Sequence, residues 1–239
     1  MPNHAIITGA GSGVGQAIAL SLVRRGWTVS IIGRRAEALA ETIAKAGPDG
    51  QKLQACPCDI GDPQAVTRTV ASILGKHGGV QVLVNAAGTN VPRRSLAELS
   101  LNDWRAVLDA NLNGTYHMVS AVLPVMRKQQ GGTIVNVVSD AGLKANPKAG
   151  PSYVASKFAV SGLTQSINCE EQKNGIRATA IYPGDINTPL LDKRPSPPPM
   201  EARLNMLTAE DVAACALLAI ELPSRAVVEE LLLRPRSLT

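Results

Sequence analysis

Tyr153 and Lys157 stand four residues apart in the run Tyr153-Val-Ala-Ser-Lys157, and Ser139 precedes them at the end of a β-rich stretch. On a helix, residues four apart share one face, so the phenol and the ammonium would project into the same space. A free phenol titrates near pH 10 and is a poor proton donor or acceptor at neutrality. An ammonium about 5 Å away, at an effective dielectric of about 20, favours the phenolate by about 3 kcal/mol. That corresponds to a fall of roughly 2 pKa units. A second positive charge, such as an oxidised nicotinamide ring carries, would bring the phenol near working pH, where general acid–base transfer is most efficient. Ser139 closes the run Thr133–Val138, so its hydroxyl is expected at a strand's carboxyl end, where open α/β sheets hold ligands. The same spacing also suits an ordinary surface pair. The glycines at the other end of the chain weigh against that reading.

Those glycines follow the short apolar run Ala5–Thr8 as Gly9-Ala-Gly11-Ser12-Gly13-Val14-Gly15, and Ala17, Ile18, Leu20, Leu22 and Val23 then recur at helical spacing. Strand, glycine turn and helix in that order make a phosphate cradle: the backbone can approach a pyrophosphate, and the helix start offers free N–H groups. The next strand, Thr28–Ile32, ends in Gly33-Arg34-Arg35. Dinucleotide folds commonly carry an acid there for the ribose hydroxyls. Two guanidiniums stand in its place, and their forks match a phosphate, so NADP(H) is expected in preference to NAD(H). The alternative is a solvated pair opening a helix over 36–46, although cations at a helix start oppose its dipole.

The remaining chain continues the alternation. A strand is expected to end at Cys56-Pro-Cys58-Asp59-Ile60, with both thiols on one face in the core, followed by a helix from Asp62-Pro63 to about His77. Val80–Val84 reads as a buried strand leaving through Asn85-Ala86-Ala87-Gly88, small residues that would admit a flat ring. Leu101 to about Gln129 reads as one long helix, disturbed at Asn111-Leu-Asn-Gly114, because Asn and Gly are poor mid-helix residues. A kink there would turn Asn111 inward. A strand over Gly132–Val138, a helix from Tyr153 to about Lys173, and a strand over Ile176–Ile181 leaving through Pro183-Gly184 follow. Residues 185–207 are proline-rich and read as a lid or binding loop. Thr208–Asp211 caps a helix to Leu222, and Val227–Leu233 can add a last strand.

Composition narrows the class. A chain of 239 residues with 45% hydrophobic content and few aromatics suits one α/β domain, a doubly wound parallel sheet of about seven strands. The cofactor-binding part is expected over about 5–140, and the catalytic and substrate-loop part over about 139–207. The net charge of +5 is scattered in pairs such as Arg93-Arg94, without aromatic interleaving, so a phosphorylated cofactor or acidic substrate accounts for it better than nucleic acid. The four cysteines suggest no disulfide framework and the three histidines no metal spacing. No signal peptide or apolar span is apparent. A soluble, cytoplasmic protein is expected.

Together these motifs resemble the short-chain dehydrogenase/reductase family in its compact single-domain branch, over about residues 5–190. The resemblance rests on Thr8-Gly9-x-x-x-Gly13-x-Gly15, Asp59, Asn85-Ala-Ala-Gly88, Asn111, Ser139, Tyr153-x-x-x-Lys157 and Pro183-Gly184, in that order. It implies interconversion of an alcohol and a ketone or aldehyde by hydride transfer. Tyr153 would move the proton, Ser139 would hold the substrate oxygen, and Lys157 would bind the nicotinamide ribose and lower the tyrosine pKa. Asn111 would hold a relay water. Thr8, Gly9, Ser12, Gly13, Val14, Gly15, Arg34, Arg35, Asp59, Ile60, Asn85, Ala86 and Gly88 would line the cofactor, with Pro183, Gly184, Ile186 and Thr188 at its carboxamide end. A homodimer or homotetramer is also implied. Two other readings remain open: a 3-oxoacyl-carrier-protein reductase, for which the usual arginines fall on Gln130 and Asn174, and a non-catalytic NADP(H) sensor, which an intact tetrad disfavours.

Overall fold

In the computed structural model, which describes residues 3–236, strands and helices alternate along most of the chain. In order they are β1 (His4–Thr8), α1 (Gly13–Arg24), β2 (Thr28–Gly33), α2 (Ala36–Lys45), β3 (Leu53–Pro57), α3 (Pro63–His77) and β4 (Val82–Asn85). Then come α4 (Leu101–Leu108), α5 (Gly114–Gln129), β5 (Gly132–Val137), α6 (Pro151–Glu171), β6 (Ile176–Pro183), α7 (Met200–Arg203), α8 (Ala209–Glu221) and β7 (Glu230–Leu233). The seven strands form one sheet in the order β3-β2-β1-β4-β5-β6-β7. Each pairs in parallel with its neighbours.

Parallel strands covered on both faces bury every position, and successive side chains serve opposite layers. In β1, Ala5 and Ile7 pack into one apolar cluster with α1 and α8, while Ile6 joins the other with α3 and α5. Strand order reverses between β1 and β4, so their carboxyl ends diverge and open a crevice there.

Several boundaries differ from the sequence reading. The stretch expected as one long helix is broken by a π-helical turn over Asp109–Asn113, which absorbs Asn and Gly without ending the run. Gly114 is needed below it, because a Cβ there would lie 2.6 Å from Ile60 Cγ1. β3 stops at Pro57, so Cys58 lies just beyond the strand, yet both thiols are buried in the α3–α5 layer. The last strand is shorter than 227–233. The expected lid is a built segment: a 3-10 turn over Pro189–Lys193, helix α7, a parallel bridge between Ile186 and Leu207, and ion pairs Asp185–Arg194 and Asp192–Arg203.

Candidate active site

A cleft of about 340 Å³ opens over the carboxyl ends of β1, β4, β5 and β6. At one end lies the glycine turn. Gly9 has φ +68°, and a Cβ there would stand 2.7 Å from the Ala87 backbone. Gly13 has φ +56° and faces the Thr188 methyl, while a Cβ on Gly15 would strike the Gly9 carbonyl at 2.6 Å. These approaches let α1 start against the strand exits. Its first turn holds no acid, and the Ser12 side chain does not cap it, so the leading N–H groups remain for an anion. Ser12, Val14, Ala86, Gly88, Pro183, Gly184 and Ile186 also line the cleft.

Behind this surface, two predicted residues hold the scaffold. Thr8 is fully buried, and its hydroxyl accepts the Ala86 and Ala87 amides, each at 3.2 Å. Asn85 donates to Asn136 Oδ1 at 2.9 Å, and Asn136 donates on to Thr164 at 2.8 Å, tying β4, β5 and α6 together. The arginine pair divides. Arg34 lines the cleft, whereas Arg35 forms the exposed start of α2 away from it. Asp59 and Ile60 line the same wall, with Asp59 accepting the Gly61 amide at 3.0 Å.

At the other end, α6 begins at a Gly150 with φ +78°, and its first two turns present Tyr153 and Lys157. Lys157 is only 5% exposed; its Nζ donates to the Val137 carbonyl at 3.0 Å and lies 5.5 Å from the Tyr153 ring centroid. Burial pulls its pKa down to about 8. Tyr153 goes the other way. Burial pushes it up to about 12 and Asp140 adds to the rise, against a hydrogen bond from Ser139 and the charges of Arg194 and Arg94. The expected two-unit fall beside Lys157 is therefore absent from the protein's own groups, because the cost of removing the phenolate from water outweighs the groups that favour it.

Ser139 caps the short turn after β5 through the Ala141 amide at 3.2 Å and faces Asp140 Oδ1 at 3.1 Å. Asn111 sits in the π turn, buried. Its Oδ1 accepts the Thr89 amide at 2.7 Å and its Nδ2 donates to the Thr89 carbonyl and the Ser156 hydroxyl, both at 3.1 Å. Asn111 Oδ1 and Lys157 Nζ lie 3.6 and 3.7 Å from the Cβ position of Gly88, so they converge behind the cleft.

Sequence reasoning missed part of the site. Asn90, Arg94, Lys148 and Arg194 line the cleft beyond Tyr153. From the sequence Arg94 reads as half of one of several scattered basic pairs, yet it is only 6% exposed. Its partners are backbone carbonyls of Val91, Lys148 and Lys193, and no spacing in the chain signals them.

The sequence pattern described as "short chain dehydrogenase" matches residues 3–198. An uncharacterized oxidoreductase of Staphylococcus saprophyticus is 35% identical over 97% of this chain and 96% of its own. The 3beta-hydroxysteroid dehydrogenase of Mediterraneibacter gnavus is 38% identical over 79% of this chain and 67% of its own. Among solved structures, the alcohol dehydrogenase of the archaeon Thermococcus sibiricus, complexed with 5-hydroxy-NADP, superposes with a TM-score of 0.87 at 25% identity, covering 99% of this chain and 97% of that one.

Proposed function

The chain belongs to the short-chain dehydrogenase family and is an NAD(P)-dependent oxidoreductase, and from that premise we propose that it interconverts an alcohol and a ketone or aldehyde with NADP(H), using Tyr153 as the acid and base. The observation that carries this reading is the convergence of the Tyr153 phenol, the Ser139 hydroxyl and the Lys157 ammonium at one end of a cleft whose other end is the glycine cradle. The cradle fits a dinucleotide. The positive φ of Gly9 and Gly13 and the close approach of Gly9 to the Ala87 backbone shape the turn that would receive its pyrophosphate, and Arg34 lines the wall where an added ribose phosphate would be met. The bound nicotinamide supplies or accepts the hydride, and its oxidised ring brings positive charge.

In the reducing direction a phenol held well above neutrality is protonated and ready to donate to the nascent alkoxide. The Ser139 hydroxyl hydrogen-bonds the same oxygen and aligns it. In the oxidising direction Tyr153 must first lose its proton. Lys157 supplies a nearby charge and N–H donors for a ribose hydroxyl. Asn111, locked to Thr89 and Ser156, supports a water behind Lys157 through which that proton leaves. The exposed apolar residues Leu101, Tyr116 and Phe158 on α4, α5 and α6 support a two-fold dimer or tetramer.

A carrier-protein substrate gains no support. Gln130 and Asn174 are neutral, and Arg127 is engaged by Glu171 beyond the amino end of β5, away from the cleft. The test is NADPH oxidation across aldehydes, ketones, β-keto thioesters and sugars, with Tyr153→Phe as the control. That variant keeps cofactor affinity within a few-fold and loses about a hundredfold or more in kcat. Retention of more than about a tenth of wild-type kcat removes Tyr153 from the role.

A further inference from the structure

Beyond Tyr153 the cleft carries an excess of positive charge, part of which also bears on the phenol through Arg194 and Arg94. Arg94, Lys148 and Arg194 line it, and Lys193 reaches back to donate to the Thr89 hydroxyl at 2.9 Å. Two carboxylates oppose them. Asp185 is spent on Arg194, and Asp140 accepts from Ser139. Among the described residues, Arg94 makes no ion pair.

A guanidinium removed from water without a counter-charge is costly, and Arg94 is 6% exposed. Its three hydrogen bonds run from Nε to Val91 at 2.7 Å, from Nη1 to Lys148 at 3.3 Å, and from Nη2 to Lys193. A guanidinium has five N–H donors, so one N–H is left on each terminal nitrogen. Two donors on neighbouring nitrogens are the fork that a carboxylate accepts bidentately. The three carbonyls also come from three separate segments: the β4–α4 connection, the loop before α6, and the lid. Arg94 is thereby held rigidly at the point where all three meet, and Gly150 is forced to stay small because a Cβ there would lie 2.6 Å from the Arg94 carbonyl. Arg194, on the lid, brings a second guanidinium to the same end of the cleft.

We propose that Arg94 and Arg194 form a carboxylate subsite, so that the alcohol or carbonyl turned over at Tyr153 belongs to a short hydroxy acid or its oxo acid. The proposal rests on the oxidoreductase reading above and gives it a substrate class. Arg94 holds the carboxylate through its fork, and Arg194 adds charge from the lid, where it exchanges part of its contact with Asp185. Lys148 and Lys193 raise the local potential and draw the anion in.

The test uses matched pairs: short 2- and 3-hydroxy acids and their primary amides, which keep the carbon skeleton and remove the charge. Each pair is compared by calorimetric binding and by kcat/KM with NADP+, in the wild type, in Arg94→Met and in Arg194→Gln. The wild type is expected to favour the acid by about tenfold or more in both measurements. The ratio, read separately from any change in overall rate, is expected to fall to within about twofold in Arg94→Met and partway in Arg194→Gln. Arg194 is on the lid rather than in the core, so it keeps the proposal testable if Arg94→Met folds poorly. Equal handling of acid and amide by the wild type overturns the subsite, as does a preference that both variants leave intact. A phosphorylated analogue that binds more tightly than the carboxylate overturns the choice of anion. Acid-selective binding without NADP-linked turnover of either compound keeps the anion subsite and overturns the short hydroxy acid as the substrate class, whereas NADPH oxidation with uncharged carbonyls alone leaves the oxidoreductase reading standing.

Discussion

Lys157 is a buried cation held by one carbonyl, and that arrangement should cost stability in a defined pH range. Its pKa is about 8 in the folded chain, against the ordinary lysine value of 10.5. Between those values the unfolded chain holds the extra proton, so stability rises with pH across this window. Lys157→Met should therefore melt higher than the wild type below pH 8, and the advantage should fade as pH rises toward 10.5. Calorimetric melting at pH 7 and pH 10 measures it; a constant difference would show that lost packing, not charge burial, sets the effect. Cofactor choice is the second test at this scale. Only Arg34 of the arginine pair lines the cleft. One charge-assisted bond of about 1.5–3 kcal/mol gives NADP a preference of roughly 10 to 150-fold, part of it screened at high salt. Gly33→Asp with Arg34→Gln should reverse it, although the new Cβ would stand 3.3 Å from Leu39 Cδ2 and that leucine must shift by a few tenths of an ångström. The check is kcat/KM for NADPH and NADH on one substrate, at low and high salt; equal values in the wild type would leave Arg34 a solvated helix start. The residues that the sequence made legible are those whose chemistry depends on short spacing, Tyr153 with Lys157 above all. Arg94 was illegible because two of its three partners lie 54 and 99 residues away and all three are backbone atoms.

Among the elements, the glycine turn separates two demands that the sequence shows as one. Gly9 and Gly13 both have positive φ, which costs an L-residue about 1–2 kcal/mol. Gly9 carries a further steric demand, since its Cβ would meet the Ala87 backbone at 2.7 Å, whereas Gly13 would meet only a Thr188 side chain at 3.3 Å. Gly9→Ala should accordingly lower the urea midpoint more than Gly13→Ala does. Equal midpoints would mean that the β4 exit yields easily. The strand and helix cores were readable because apolar runs and helical periodicity are local. The π turn announced itself only as unsuitable residues, Asn111 and Gly114, inside a good helix. The lid read as irregular because its order comes from ion pairs nine and eleven residues apart, Asp185 with Arg194 and Asp192 with Arg203, which follow no helical or strand period.

For the whole molecule, the doubly wound parallel sheet followed from alternation, since seven apolar runs separated by helices leave few right-handed parallel arrangements, while the strand order is read from the structure. That a second copy covers the outer face of α4–α6 is implied by the family resemblance rather than by periodicity, because a helix that faces a second copy and one that faces solvent differ only in a few side chains. Leu101, Tyr116 and Phe158 are 62%, 56% and 45% exposed on these helices, more apolar surface than an isolated chain gains from presenting to water. A second copy of the chain, related by a two-fold axis, would bury the same residues from both sides, because such an interface is self-complementary. Light scattering at micromolar concentration should therefore give the mass of a dimer or tetramer. Tyr116→Glu combined with Phe158→Glu should shift that mass downward, since facing carboxylates would be desolvated together at the axis. A monomeric wild type, or an unchanged mass in the double variant, would show that this face meets water and that its aromatics serve the fold of one chain alone.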